Sequence, residues 1–73
     1  MNNLTMKVEV IPGTDVSKAA EQAVALANRI GIAVEYNFNG VTCWARPGGD
    51  YEKLSEACYA KIGSNEKHKF ATA

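Results

Sequence analysis

Two cysteines, one histidine and a scatter of carboxylates are the side chains here with the means to do chemistry. Cys43 and Cys58 are not spaced as metal ligands. With His68 they offer at most three soft ligands, spread over a predicted strand, a helix and a tail, where structural zinc usually takes four. Both cysteines fall on predicted apolar faces, where a thiol behaves as a small hydrophobe and stays unreactive. A disulfide between them is geometrically imaginable, because a sheet and its covering helix approach each other, but a cytosolic setting disfavours it. His68 stands between Lys67 and Lys69, whose charges suppress its own, and it reads as a solvated tail residue. Glu9 and Glu35 fall on the outer face of the expected sheet with its central strand between them. They would suit acid–base work only if something raised one pKa, and a solvated face offers nothing that does. The expectation is no catalytic set, no metal and no cofactor.

The turns Pro12-Gly13-Thr14-Asp15 and Pro47-Gly48-Gly49-Asp50 superficially resemble phosphate-cradling loops, because amides at a helix N-terminus attract anions. The first and third strands are expected to run antiparallel, which puts the two turns at opposite ends of the sheet. Each also carries an aspartate at the positive helix end, where it would repel a phosphate, so helix capping is the reading. Neither turn matches a Walker or dinucleotide fingerprint.

The elements around these residues follow from periodicity. Met6 to Ile11 alternates apolar and charged residues, the period of a half-buried strand, with Met6, Val8 and Val10 on one face. Asp15 caps a helix from Val16 to Ile30, whose stripe Val16, Ala20, Ala23, Ala27 and Ile30 is widened by Ala19, Val24 and Leu26. Arg29 suits the negative helix end and Gly31 the left-handed cap. Ile32 to Phe38 is a second strand, Asn39-Gly40 a two-residue turn, and Val41 to Ala45 the returning strand. Asp50 caps a second helix, Tyr51 to Ile62, with Leu54, Cys58 and Ile62 inward. The turn fixes the hairpin register: Phe38 faces Val41, Tyr36 faces Cys43 and Val34 faces Ala45 on the core side. On the opposite side Glu35 faces Trp44 and Asn37 faces Thr42.

This order predicts an α+β fold, βαββα(β), with a three- or four-stranded, mostly antiparallel sheet and both helices on one face. With the third strand between the first two, and residues 64–73 adding a last strand over His68 to Thr72 beside the first, the layout would be ferredoxin-like. Otherwise residues 1–63 form the single domain, 64–73 a polar tail, and the first strand a bare edge able to recruit another chain.

Trp44 is the candidate contact residue. The register sends it away from the helices, among Lys7, Glu9, Glu35, Asn37 and Thr42, as a lone large aromatic on a polar face. A ring lying against Lys7 or Glu35 with no partner is the plainer alternative. Tyr51 and Tyr59 point apart on the second helix, one packing and the other exposed, and the Tyr59 side is a secondary surface.

Seventy-three residues allow one small domain, and eight Lys+Arg against eight Asp+Glu give no net charge. Neutrality argues against a non-specific nucleic-acid binder, which needs several phosphate-neutralising cations on one surface. A weak nucleic-acid reading would rest on Arg46, Lys67 and Lys69. The longest helical stretch is interrupted by Lys18, Glu21, Gln22, Asn28 and Arg29, which excludes a membrane span, and two cysteines with no basic-then-apolar leader point to the cytoplasm.

Two families of this size bear comparison. The heavy-metal-associated domain carries Cys-x-x-Cys in its first loop, whereas Pro12 to Ala19 contains no cysteine, so metal transfer is not implied. Val10 to Val34, a strand, a turn with glycine, a helix and the Gly31-Ile32 step into the next strand, resembles the ACT domain. That likeness implies a small-ligand sensor binding near Gly13 and Thr14 at a dimer interface. The chain also resembles the small accessory proteins encoded by bacteriophages, in its size, its opening Met6-Lys7-Val8-Glu9-Val10, and its Phe38-Asn39-Gly40-Val41 hairpin followed by Pro47-Gly48-Gly49-Asp50. This resemblance implies a protein that binds and redirects a host protein. The leading expectation is therefore a non-enzymatic binding protein, acting through Trp44, Glu35, Thr42, Lys7 and Glu9 or through the first-strand edge, on a host partner or as a homodimer.

Overall fold

The computed structural model describes residues 4–64 and 68–72. Its elements are β1 (Thr5–Lys7), α1 (Val16–Ile30), β2 (Ala33–Phe38), β3 (Val41–Ala45), α2 (Tyr51–Lys61) and β4 (Lys69–Thr72). The sheet has four strands in the order β1-β2-β3-β4. β1 runs parallel to β2, β2 antiparallel to β3, and β3 parallel to β4.

The class is the expected α+β, but the sheet is mixed rather than mostly antiparallel. Nor is the strand order the ferredoxin-like one: β3 does not separate β1 from β2, and β4 lies beside β3 instead of β1. Each helix returns the chain to the immediate neighbour of the strand it left. The molecule is thus two βαβ units joined by the β2–β3 hairpin, and parallel pairing within each unit follows from having a helical crossover.

Local chemistry accounts for the elements. Asp15 caps α1 by accepting from the Lys18 amide at 2.7 Å, and Asp50 caps α2 by accepting from the Glu52 amide at 2.9 Å. Gly31 ends α1 in the left-handed region at φ 76°, its amide bonded to the Ala27 carbonyl. Asn39 at φ 50° and Gly40 at φ 86° form the hairpin turn, and Asn37 Oδ1 accepts from the Gly40 amide at 3.2 Å. The register is the expected one, with Phe38 opposite Val41, Tyr36 opposite Cys43 and Val34 opposite Ala45.

The core lies between the helices and one sheet face. Ala19, Ala20, Ala23 and Ala27 of α1 and Leu54 and Cys58 of α2 are buried in one cluster with Val34, Tyr36, Val41, Cys43, Ala45 and Ala71 of the sheet, where Cys58 meets Cys43. Small side chains along the α1 seam let the helix axis approach the sheet closely. Ile30, expected inward, is exposed in the last turn of α1. Tyr51 packs against the core and Tyr59 is exposed.

Two further differences concern the ends of the sheet. The strand expected over Met6 to Ile11 pairs only over Thr5–Lys7, and its ladder closes where the Val8 amide donates to the Glu35 carbonyl at 2.9 Å. Beyond Val8 the chain leaves β2, with Val8 and Val10 half-buried against the core and Met6 exposed. The last strand, expected only as an alternative to a tail, is present as β4, and Ala71 is buried in the core.

Candidate functional site

The outer sheet face is built by alternation. With Val34, Tyr36, Cys43 and Ala71 committed to the core, Glu35, Thr42, Trp44, Phe70 and Thr72 must face the other way. The register aligns Lys7, Glu35, Trp44 and Thr72 in one row across all four strands, and Asn37, Thr42 and Phe70 in the next.

Glu35 is the pivot of this face. One carboxylate oxygen accepts from Trp44 Nε1 at 2.9 Å, and the other lies 3.7 Å from Lys7 Nζ. The indole is therefore held by a charge-assisted hydrogen bond and cannot roll freely over the strand. The Lys7 contact is with an exposed ammonium and adds little to stability.

Phe70 stacks on Trp44, with ring centroids 5.4 Å apart and an interplanar angle of 16°. His68 continues the row at 6.4 Å and 25° from Phe70. Phe70 is 52% exposed and Trp44 half-buried, so the stack offers its surface to solvent. The face expected to be polar around a single tryptophan instead carries three rings. Sequence reading missed Phe70. Alternation across 68–72 was the available signal, but it does not say whether Phe70 or Ala71 turns inward. The structure turns Ala71 inward, buried in one cluster with Leu54 and Cys58, and leaves Phe70 on the outer face.

Of the five residues expected at a contact face, the structure gathers four tightly: Trp44, Glu35 and Lys7 in one row and Thr42 beside them. Glu9 lies off the sheet beyond Val8. The expectation that the central strand separates Glu9 from Glu35 is corrected: both line one shallow depression with Lys7, Asn37 and Thr42, because β1 is next to β2. Of the three basic residues of the nucleic-acid reading, Arg46 is exposed, Lys69 is half-buried, and Lys67 lies outside the described residues.

The two cysteines meet in the core. Cys43 and Cys58 are fully buried free thiols with sulfurs 3.3 Å apart, and Cys43 Sγ also donates to the Val41 carbonyl at 3.6 Å. Burial, and then the neighbouring thiol, pushes the Cys43 pKa up to about 12. Burial raises that of Cys58 as well. The Tyr36 hydroxyl is buried without a hydrogen-bond partner among the described residues; burial first, and the two nearby thiols second, hold it well above the usual tyrosine range. A neutral thiol is a poor nucleophile. Among the described residues no group of three His, Cys, Asp or Glu could hold a metal ion.

Tyr36 also lines a cleft of about 220 Å³ with Val8, Val10, Thr14, Ala23 and Leu26. A second depression includes Gly13, Thr14, Phe38 and Asn39. Among the described residues no helix is long and apolar enough to cross a membrane. Comparison with protein-family models, with curated proteins and with solved structures found no match.

Proposed function

We propose that this chain is a non-enzymatic binding module that engages another protein through the outer sheet face, with Trp44 and Phe70 as the anchor. The stacked, half-exposed ring pair on the face opposite the helices is the observation that carries the reading. Hot spots favour rigid aromatic side chains within a polar surround. Here Glu35 fixes the indole and meets Lys7, Thr42 pairs with Phe70 across the strands, and Glu9 lies at the margin. The role that goes with this face is that of a small accessory protein of bacteriophage type that binds a host protein in the cytoplasm, a setting in which buried thiols stay reduced.

The ring row supports a second reading, because bases stack on aromatic faces as readily as side chains do. Against it stand the neutral chain and the Glu35 carboxylate beside the indole, which repels phosphate. The ACT-like alternative, a small ligand beside Gly13 and Thr14, has in its favour the cleft over Tyr36. That cleft, about 220 Å³, falls below the roughly 300–1,000 Å³ typical of small-molecule sites, whereas the depression that holds both Gly13 and Thr14, about 480 Å³, lies within that range.

Capture from host lysate, run with the wild type beside Trp44→Ala and Phe70→Ala, tests the proposal. A stoichiometric protein retained by the wild type and lost by both variants is the expected result. Quenching of Trp44 fluorescence by single-stranded oligonucleotide, weakening with salt, would replace the protein reading with the nucleic-acid one. Thermal stabilisation by an amino acid or nucleotide, kept in Trp44→Ala, would move the function to the cleft.

A further inference from the structure

The sequence carries a strand pattern across Met6 to Ile11, yet β1 finds a partner only over Thr5–Lys7. The rest of the pattern sits at the margin of the sheet, and β1 is an edge strand. We propose that two copies of this chain dimerise edge to edge through residues 6–10, pairing antiparallel about a twofold axis at Val8.

The backbone sets which registers are allowed. The Val8 amide points toward β2, where it meets the Glu35 carbonyl. Alternation then turns the amide and carbonyl of Lys7 outward, away from the sheet, and, with the extended pattern carried on past Val8, those of Glu9 as well. An antiparallel partner must set outward groups opposite outward groups, so a twofold axis has to pass through a residue and not between two. With the axis at Val8, Lys7 opposes the partner's Glu9 and Glu9 opposes the partner's Lys7. Each of these pairs exchanges two backbone hydrogen bonds and sets opposite charges side by side. An axis at Lys7 or at Glu9 would set like charges against each other, and one at Met6 would oppose Lys7 to Thr5. Only the Val8 register is complementary in charge.

The side chains fit the same arrangement. Glu9 is exposed and forms no ion pair among the described residues. Lys7, already 3.7 Å from Glu35, would lie between two carboxylates. On the helix side Met6, 43% exposed, would be covered by the partner's Val10. The partner thus extends the outer face into one continuous sheet and removes the bare edge of both copies.

Absolute mass by light scattering, across concentrations from micromolar to about millimolar, tests this. The expected mass is twice the 7.9 kDa of one chain, and Glu9→Pro, which deletes an amide with no hydrogen bond among the described residues, should weaken the dimer on the order of tenfold or more. Glu9→Lys and Lys7→Glu should each be monomeric alone, and an equimolar mixture of the two should recover the dimer mass, because every opposed pair is then unlike in charge. Circular dichroism checks that each variant is folded, and Glu9→Pro with Glu9→Lys suffices should Lys7→Glu misfold beside Glu35. A wild type that stays at the single-chain mass, a Glu9→Pro dimer of unchanged affinity, or a dimer lost in Trp44→Ala and kept in Glu9→Lys would overturn the proposal.

Discussion

Glu35 does three things at once on the outer face: it accepts from the Trp44 indole, approaches Lys7, and passes its backbone carbonyl to Val8. On the same face Phe70 stacks on Trp44 on one side and on His68 on the other. Phe70→Ala should therefore lower stability by about 1 kcal/mol through the lost stack and shift Trp44 emission toward the red, measurable in one urea titration followed by fluorescence. The buried thiols give a pH dependence whose sign follows from the raised pKa of Cys43. Below about pH 9, its ordinary value of 9.0, both the folded and the unfolded chain keep the proton and pH has no leverage. Between there and about 12 the unfolded chain releases a proton that the folded chain retains, so stability falls as pH rises. Cys58 acts in the same sense, and Tyr36 joins above its ordinary value of 10.0. Urea midpoints should decline beyond about pH 8.5, and the decline should start about one pH unit later in a Cys43→Ala/Cys58→Ala double variant.

At the scale of elements, the turn between β2 and β3 carries the most information per residue. Gly40 sits at φ 86° with open space where a Cβ would stand, so Gly40→Ala tests backbone strain without a clash. A loss of about 1 kcal/mol in the denaturant midpoint, with the fold unchanged by circular dichroism, is expected. This turn, α1, β3 and the capping aspartates were legible in the sequence because each depends on neighbours a few residues away. The hairpin register came with them, and through it the outward position of Trp44. Strand order was not legible, since it depends on whether each crossover returns beside its own strand or skips one, and no local pattern records that choice. Phe70 escaped for a related reason: a four-residue strand with Ala71 and Phe70 adjacent offers two faces, and only the tertiary arrangement of α2 and the sheet settles which of them turns inward. The half of the β1 pattern left without a partner is a case where the sequence signal exceeds what a single copy uses. Asn28 adds a tie the periodicity hid, its Oδ1 accepting from the Gly48 amide at 2.6 Å and holding the loop before α2 to the end of α1.

For the molecule as a whole, directions matter more than residues. β1 and β2 point one way, β3 and β4 the other, and the helices between them are likewise opposed, so their dipoles run in opposite directions. The start of β1 and the end of β4 therefore emerge at the same end of the sheet, on its two outer edges, while the Asn39-Gly40 turn marks the other end. Three strand spacings separate them, about 14 Å, a gap that four or five extended residues bridge. The molecule is in effect a plug with both leads on one side: spliced by short spacers into a surface loop of a carrier protein, it would stand on that end with its hairpin tip pointing outward and its ring-bearing face open on the flank.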